Sequence, residues 1–219
     1  MPNNIKKAYK SSKNIYDDVL TQKRLWTKLY NVIFWGGVDN LEISTKLLNM
    51  IPKNFSGLLL DVPVGTARFT FEKYATLPHS KIICLDYSED MLAQAKARFE
   101  QYHISNAQCI QGDVSNLPFE NEKFDVLISM NGFHAFPDKE KAFSETFRVL
   151  KNGGIFIGCF YVKGACKRTD FLVNCFLAPR GWFTPPFQTF SDLKKFLNNH
   201  YSTVNLYHEH SIAYFWCKK

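Results

Sequence analysis

The longest apolar run in this chain, Ile155–Val162, is far short of the roughly 20 residues that cross a bilayer as a helix. No membrane span is therefore expected. The opening stretch MPNNIKKAYKSSKN has no apolar segment of the signal-peptide kind, so a cytoplasmic location is the expectation. The six cysteines (Cys84, Cys109, Cys159, Cys166, Cys175 and Cys217) include no C-x-x-C pair and no histidine at zinc spacing, so no metal site is expected. Most sit inside apolar runs such as KIICLDY and IFIGCFY, where a free thiol in a reducing compartment behaves as a small hydrophobe. Internal repeats, low-complexity blocks and Gly/Ser linkers are also missing, which predicts one domain over 1–219. What is present suffices for a core: 219 residues, 46% of them hydrophobic and 21% charged, fold without disulfide or metal staples.

Charge is unevenly placed. Residues 1–30 hold seven Lys and Arg against two acids, residues 31–150 eleven against fifteen, and residues 151–219 nine against three. Two basic flanks around an acidic centre fit contact with an anionic partner, but ordinary solubility is the simpler reading.

Residues 16–35 place Val19, Trp26, Leu29, Tyr30 and Ile33 at helical spacing, with Trp35-Gly36-Gly37 as the stop. Asp39 reads as the N-cap of a second helix that runs to about Ile51, before Pro52. From Gly57 the pattern becomes short apolar runs: GLLLDV, KIICLDY, AQCIQGD, FDVLISM and IFIGCFYV. Such runs mark strands buried on both faces. Helices are predicted at Arg68–Leu77, at Glu89–Tyr102 with Ser88 as N-cap, and at Asp138–Leu150. Lys151-Asn152-Gly153-Gly154 reads as the left-handed cap of the last. Strand–helix alternation predicts an α/β fold, a mostly parallel sheet with helices on both faces. Helix Ser191–Asn199 is followed by strands Thr203–Glu209 and Ser211–Cys217, whose short connection demands an antiparallel pair.

In open α/β sheets ligands bind beyond the carboxyl ends of the strands. Four polar residues stand there: Asp61, Asp86, Asp113 and Asn131. The turn Asp61-Val62-Pro63-Val64-Gly65-Thr66-Ala67-Arg68 would let backbone N–H groups approach a ligand at Gly65. Pro63 and Ala67 occupy positions where a dinucleotide fingerprint has glycine. Asp86 is spaced to accept from a ribose diol. Tyr87 and Met91 offer flat faces for adenine, and Gly112-Asp113-Val114 an acceptor and an N–H for its edge.

These residues resemble the class I S-adenosylmethionine-dependent methyltransferases, particularly the small-molecule branch of the ubiquinone/menaquinone type. LLLDVPVGTARF is similar to that family's first motif and CLDYSEDMLAQAKARF to its second. IQGDVSNLPFENEKFDVLIS covers the third and fourth, and FHAFPDKEKAFSETFRVLKNGGIFIG the helix and strand that follow. The resemblance implies a Rossmann-like seven-stranded sheet, mostly parallel with one antiparallel strand, in the order 3-2-1-4-5-7-6. It also implies S-adenosylmethionine as cofactor and S-adenosylhomocysteine as product. Asp61, Val62, Pro63, Gly65 and Thr66 would line the methionine end of the cofactor, with Asn131 near its amino group. Asp86 would hold the ribose, Tyr87 and Met91 would flank adenine, and Gly112, Asp113 and Val114 would meet its edge. Pro63 and Ala67 depart from the family's glycines and imply a reshaped turn.

A general base is needed only where the nucleophile carries a proton of high pKa. His134 and Tyr161 are the candidates. The aromatic segment 163–188 is expected to cover the site, with Phe133, Phe171, Trp182 and Phe183 as walls and Arg168 meeting an acidic group on an aromatic or anionic small-molecule acceptor. The layout is then a helical lid over 1–52, a cofactor core over 57–161, a substrate loop over 163–188, and a helix and hairpin over 190–219. Three competing readings remain: a dinucleotide oxidoreductase, an RNA or other nucleic-acid methyltransferase suggested by the basic flanks, and a non-catalytic cofactor-binding protein. Composition says nothing of oligomeric state.

Overall fold

The computed structural model describes residues 25–219; the first part of the predicted N-terminal helix, including Val19, lies outside them. Helices α1 (Leu25–Trp35) and α2 (Asn40–Leu48) lead into β1 (Leu58–Asp61), α3 (Phe71–Ala75), β2 (Lys81–Asp86), α4 (Glu89–Gln101) and β3 (Ala107–Gln111). β4 (Phe124–Met130), a 3-10 turn at Phe133–Ala135, α5 (Lys139–Val149) and β5 (Leu150–Tyr161) follow. The chain closes with α6 (Lys167–Leu172), which runs into a π-helical turn, then α7 (Phe190–His200), β6 (Thr203–Glu209) and β7 (Ile212–Lys218).

The sheet has seven strands in the order β3-β2-β1-β4-β5-β7-β6. β7 is antiparallel to both its neighbours, and the other pairings are parallel. Successive residues of a strand face opposite layers. Leu59, Val126 and Ile157 thus join the core beneath α1–α4, while Leu60, Leu127 and Phe156 join the core beneath α5 and α7. Asp39 and Ser88 cap α2 and α4 through their side chains, as expected, and Asp138 caps α5 in the same way.

Two elements differ from expectation, and a third takes an orientation that spacing does not set. α3 begins at Phe71 instead of Arg68, because Ala67 takes φ +56° and interrupts any helix there. Leu150 is already extended, so Lys151–Gly154 lies within β5, and the β4–β5 register shifts between Phe124 and Val126. A glycine pair after a helix gives the same local signal in a cap and in an irregular strand entry. The apolar stripe of α1 faces outward: Trp26, Leu29 and Ile33 are exposed, while Thr27, Asn31 and Trp35 are buried.

Candidate active site

At the carboxyl ends of β1, β2 and β4 lies a small cleft. Its floor is built from strand ends and its walls from the loops that leave them. Pro63, Val64, Gly65 and Thr66 form one side with Arg68 and Phe69; Met130, Asn131, Gly132 and Ala135 form the other; Asp86 and Met91 close the end.

The carboxylate of Asp86 is clamped. Gly65 N donates to its Oδ2 at 2.9 Å and Ser88 N to its Oδ1 at 2.8 Å. One side chain thereby ties the first turn to the start of α4, and each oxygen keeps a lone pair for a ligand hydroxyl. Burial raises its pKa to about 6, against the pull of those N–H donors. Gly65 takes φ +55°, and a Cβ there would meet nothing within 4 Å, so the turn is open toward the cleft.

Asp61 lies beneath the turn, 1% exposed. Tyr74 donates to its Oδ2 at 2.5 Å and Thr70 at 3.1 Å, while its Oδ1 is buried without a partner. Burial is the main cause lifting its pKa to about 7, and the charge of Asp86 adds to it. Both carboxyls are thus more basic in the fold than the 3.8 of a free aspartate. The stability they contribute is present in full below about pH 4 and is lost as pH rises through 6 to 7. Asp61→Asn keeps an acceptor for Tyr74 and cannot ionise. At pH 8 it should raise Tm by roughly 5–10 °C, a few kcal/mol, and at pH 4 it should change little. Calorimetric melts across that range check this; parallel curves for the two proteins would contradict it.

On the opposite wall Asn131 sits at φ +54°, a conformation asparagine accepts more readily than most residues. Gly132 was not singled out from sequence, yet it packs against the first turn. A Cβ on it would run into Pro63 Cδ, lie 2.8 Å from Pro63 Cγ and 3.0 Å from Ser129 Oγ. The Val62–Pro63 bond is cis. Ala67, whose methyl is buried, takes positive φ.

Other expected site residues fall elsewhere. Val62 is buried in the core on the α5–α7 side. Tyr87, Gly112, Asp113 and Val114 stand at the ends of β2 and β3, outside the cleft lining. Asp113 accepts from Ser115 N and Oγ at 2.9 and 2.8 Å. Phe133 is no pocket wall: it is fully buried against Phe136, Phe143, Phe156 and Phe160. Phe171 is 64% exposed, and Arg168 donates to Val32 O at 3.1 Å, away from the cleft. Phe183 is buried, stacked on His134 at 4.0 Å and on Trp35 at 5.8 Å. Trp182 is half-buried with its Nε1 unpartnered among the described residues.

Neither base candidate is equipped as one. Burial, with the charge of Lys139, pushes the pKa of His134 down to about 3, and its Nδ1 faces Tyr161 N at 3.4 Å. An imidazole of that pKa takes up a proton poorly. Burial raises the Tyr161 phenol, whose hydroxyl donates to Asp170 at 2.7 Å. Lys139, overlooked in the sequence, donates to Phe136 O at 2.9 Å and Thr184 O at 2.6 Å, and Thr184 N donates to His134 O at 2.9 Å. These bonds seat the 178–188 segment beside the cleft. Among the described residues no cluster of His, Cys, Asp and Glu could hold a metal ion.

Comparison with known proteins agrees with this geometry. Residues 59–154 match a family model described as a methyltransferase domain. A demethylmenaquinone methyltransferase of Lactococcus lactis is 40% identical over 97 residues, 44% of this chain and 38% of that protein. That of Staphylococcus saprophyticus is 37% identical over 99 residues, 45% of this chain and 42% of its own length. The chain thus matches about two fifths of the length of these relatives. Its fold is shared with an S-adenosylmethionine-dependent methyltransferase from Aquifex aeolicus, at TM-score 0.61 and 12% identity over 92% of this chain and 96% of that one. The clamped Asp86, the open turn at Gly65 and the orphan oxygen of Asp61 fit a ligand that carries hydroxyl and ammonium donors. Over residues 59–154 the chain carries a methyltransferase domain, and this core resembles the S-adenosylmethionine-dependent enzymes of the menaquinone type.

Proposed function

We propose that the protein methylates a small, largely apolar ring compound. The observation that carries this reading is the cleft at the strand ends: a two-point acceptor at Asp86, with apolar lining from Phe69 on one side and from Met130, Gly132 and Ala135 on the other. The cofactor supplies a methyl group already activated on a sulfonium. The protein is left to hold two molecules in line and to keep water away.

Asp86 would hold the ribose hydroxyls, and Met91 would pack against the adenine. Asn131 and the orphan oxygen of Asp61 would receive the amino group of the methionine end. Because ionised Asp86 is the better acceptor, cofactor affinity is expected to rise as pH climbs through about 6. Trp35, His134, Tyr161, Phe183 and Phe187 form a contiguous aromatic block beside the cleft. In this reading His134 excludes water and gives shape; it takes no proton. An acceptor that loses its proton to solvent before transfer, as an acidic phenol or enol does, needs no base from the chain. The buried, unpartnered Trp182 Nε1 and Gln188 Oε1 would offer such an acceptor a donor and an acceptor within the 163–188 cover.

The name of the relatives points to the same acceptor class, a quinone-type ring. Incubation with methyl-labelled cofactor tests the reading. Label should pass to hydroquinones or related phenols extracted into organic solvent. Label recovered in RNA, with none in the organic phase, would overturn it in favour of a nucleic-acid substrate.

A further inference from the structure

We infer that the outer face of α1, together with the adjoining α6 segment, is a docking surface for an anionic lipid bilayer. Leu25, Trp26, Leu29, Val32 and Ile33 are all exposed, at 85, 46, 59, 54 and 42%. At 100° per residue they form one stripe about 120° wide, the width of the apolar face of an amphipathic helix. In α1 the polarity is inverted. The side against the body buries Thr27 and Asn31, whose Nδ2 donates to Val38 O at 3.0 Å, while the aliphatic side meets solvent.

The stripe does not end with α1. Arg168 donates to Val32 O at 3.1 Å, Thr169 Oγ1 donates to Phe34 O at 2.7 Å, and the rings of Phe34 and Phe176 lie 6.3 Å apart. These contacts fix α6 alongside α1 and extend the surface with Phe171 and Phe176, 64 and 44% exposed. Contiguous apolar surface of this kind is unusual on a monomer and marks an interaction site.

Charge selects the occupant. Lys28 and Lys167 are exposed beside the stripe, Arg168 is bonded at its edge, and Arg180 is held next to Phe176 through Phe176 O at 2.6 Å. The nearby acid, Asp170, is committed to Tyr161 Oη and Gly164 N. The sequence that feeds α1 continues the pattern: residues 1–24 carry six Lys and Arg against two acids. An aliphatic and aromatic face rimmed by cations is what binds at the headgroup boundary of an anionic membrane. Apolar side chains enter the acyl edge, and lysine and arginine meet lipid phosphates. A protein partner of ordinary composition would not explain a rim of one sign. No helix among the described residues is long and apolar enough to cross the membrane, so the attachment is peripheral.

Sedimentation of the full chain with vesicles tests this. Binding should be strong to phosphatidylcholine vesicles containing a quarter phosphatidylglycerol, at least tenfold weaker to phosphatidylcholine alone, and reduced by added salt. The double substitution Leu29→Glu with Ile33→Glu, at two exposed positions, should cut binding to the anionic vesicles at least tenfold. Calorimetric affinity for S-adenosylhomocysteine should stay unchanged, which separates loss of the surface from loss of the fold. No binding of the unsubstituted chain to anionic vesicles would overturn the inference, as would equal binding by the double variant. A dimer in sedimentation velocity that the double variant dissociates, without vesicle binding, would overturn it too and give the face to a second copy. Each outcome is independent of which acceptor is methylated.

Discussion

Asp86→Ala should weaken binding of S-adenosylhomocysteine about a hundredfold or more. The carboxylate accepts from Gly65 N and Ser88 N in the free protein and, in the proposed complex, from the ribose hydroxyls as well. Hydrogen bonds to a charged group contribute roughly 1.5–3 kcal/mol each. Truncation removes the ribose contacts and also leaves two N–H donors without an acceptor, so the Gly65 turn loses its anchor. Asp86→Asn keeps one carbonyl oxygen, but its amide nitrogen confronts an N–H donor; its loss should be intermediate, about tenfold. Titration calorimetry at pH 8 measures both. Equal affinity for the alanine variant and the unsubstituted chain would show that the ribose is held elsewhere.

Gly132→Ala should do comparable damage by a different route. The added methyl collides with the Pro63 ring and crowds Ser129. A proline ring in a turn cannot swing aside as a flexible side chain can. Overpacking of this kind typically costs about 1–3 kcal/mol, so Tm should fall by roughly 3–10 °C. Because the two colliding segments are opposite walls of the cleft, cofactor affinity should fall at least tenfold. Gly65→Ala is the informative control. It meets no atom within 4 Å but must hold φ +55°, a cost of about 1–2 kcal/mol. Its Tm loss should be the smaller of the two. If Gly132→Ala melts and binds like the parent chain, the two walls are not in the contact described.

The parts of the fold that could be read in the sequence are those set by local chemistry. Strands such as Leu58–Asp61 and Phe124–Met130 are apolar throughout because both faces are covered. Ser88 and Asp39 are caps because their side chains reach N–H groups two or three residues on. The place of Asp86 and Asn131 in the cleft lining was legible because each stands at the end of a buried apolar strand. What could not be read depends on partners distant in the chain. Helical spacing revealed the stripe of α1 but not which way it turns, since that is decided by Asn31 bonding Val38 and by α6 packing alongside. Phe133, two residues past Asn131, goes to the opposite layer because the 3-10 turn carries it into the Phe143–Phe160 cluster. His134 looks like a base by position alone; its burial beside Lys139 makes it a poor one. Gly132 carries no signal of its own, because its need for a bare Cα comes from Pro63, sixty-nine residues earlier.

The central claim is that the strand-end cleft holds S-adenosylmethionine, and direct titration tests it. Calorimetry at pH 8 should give a single-site isotherm with S-adenosylhomocysteine at a micromolar dissociation constant, on the order of −7 to −8 kcal/mol. A nicotinamide dinucleotide should give no heat of binding. The reverse result, silence with S-adenosylmethionine and S-adenosylhomocysteine and a clear isotherm with the dinucleotide, would contradict the account.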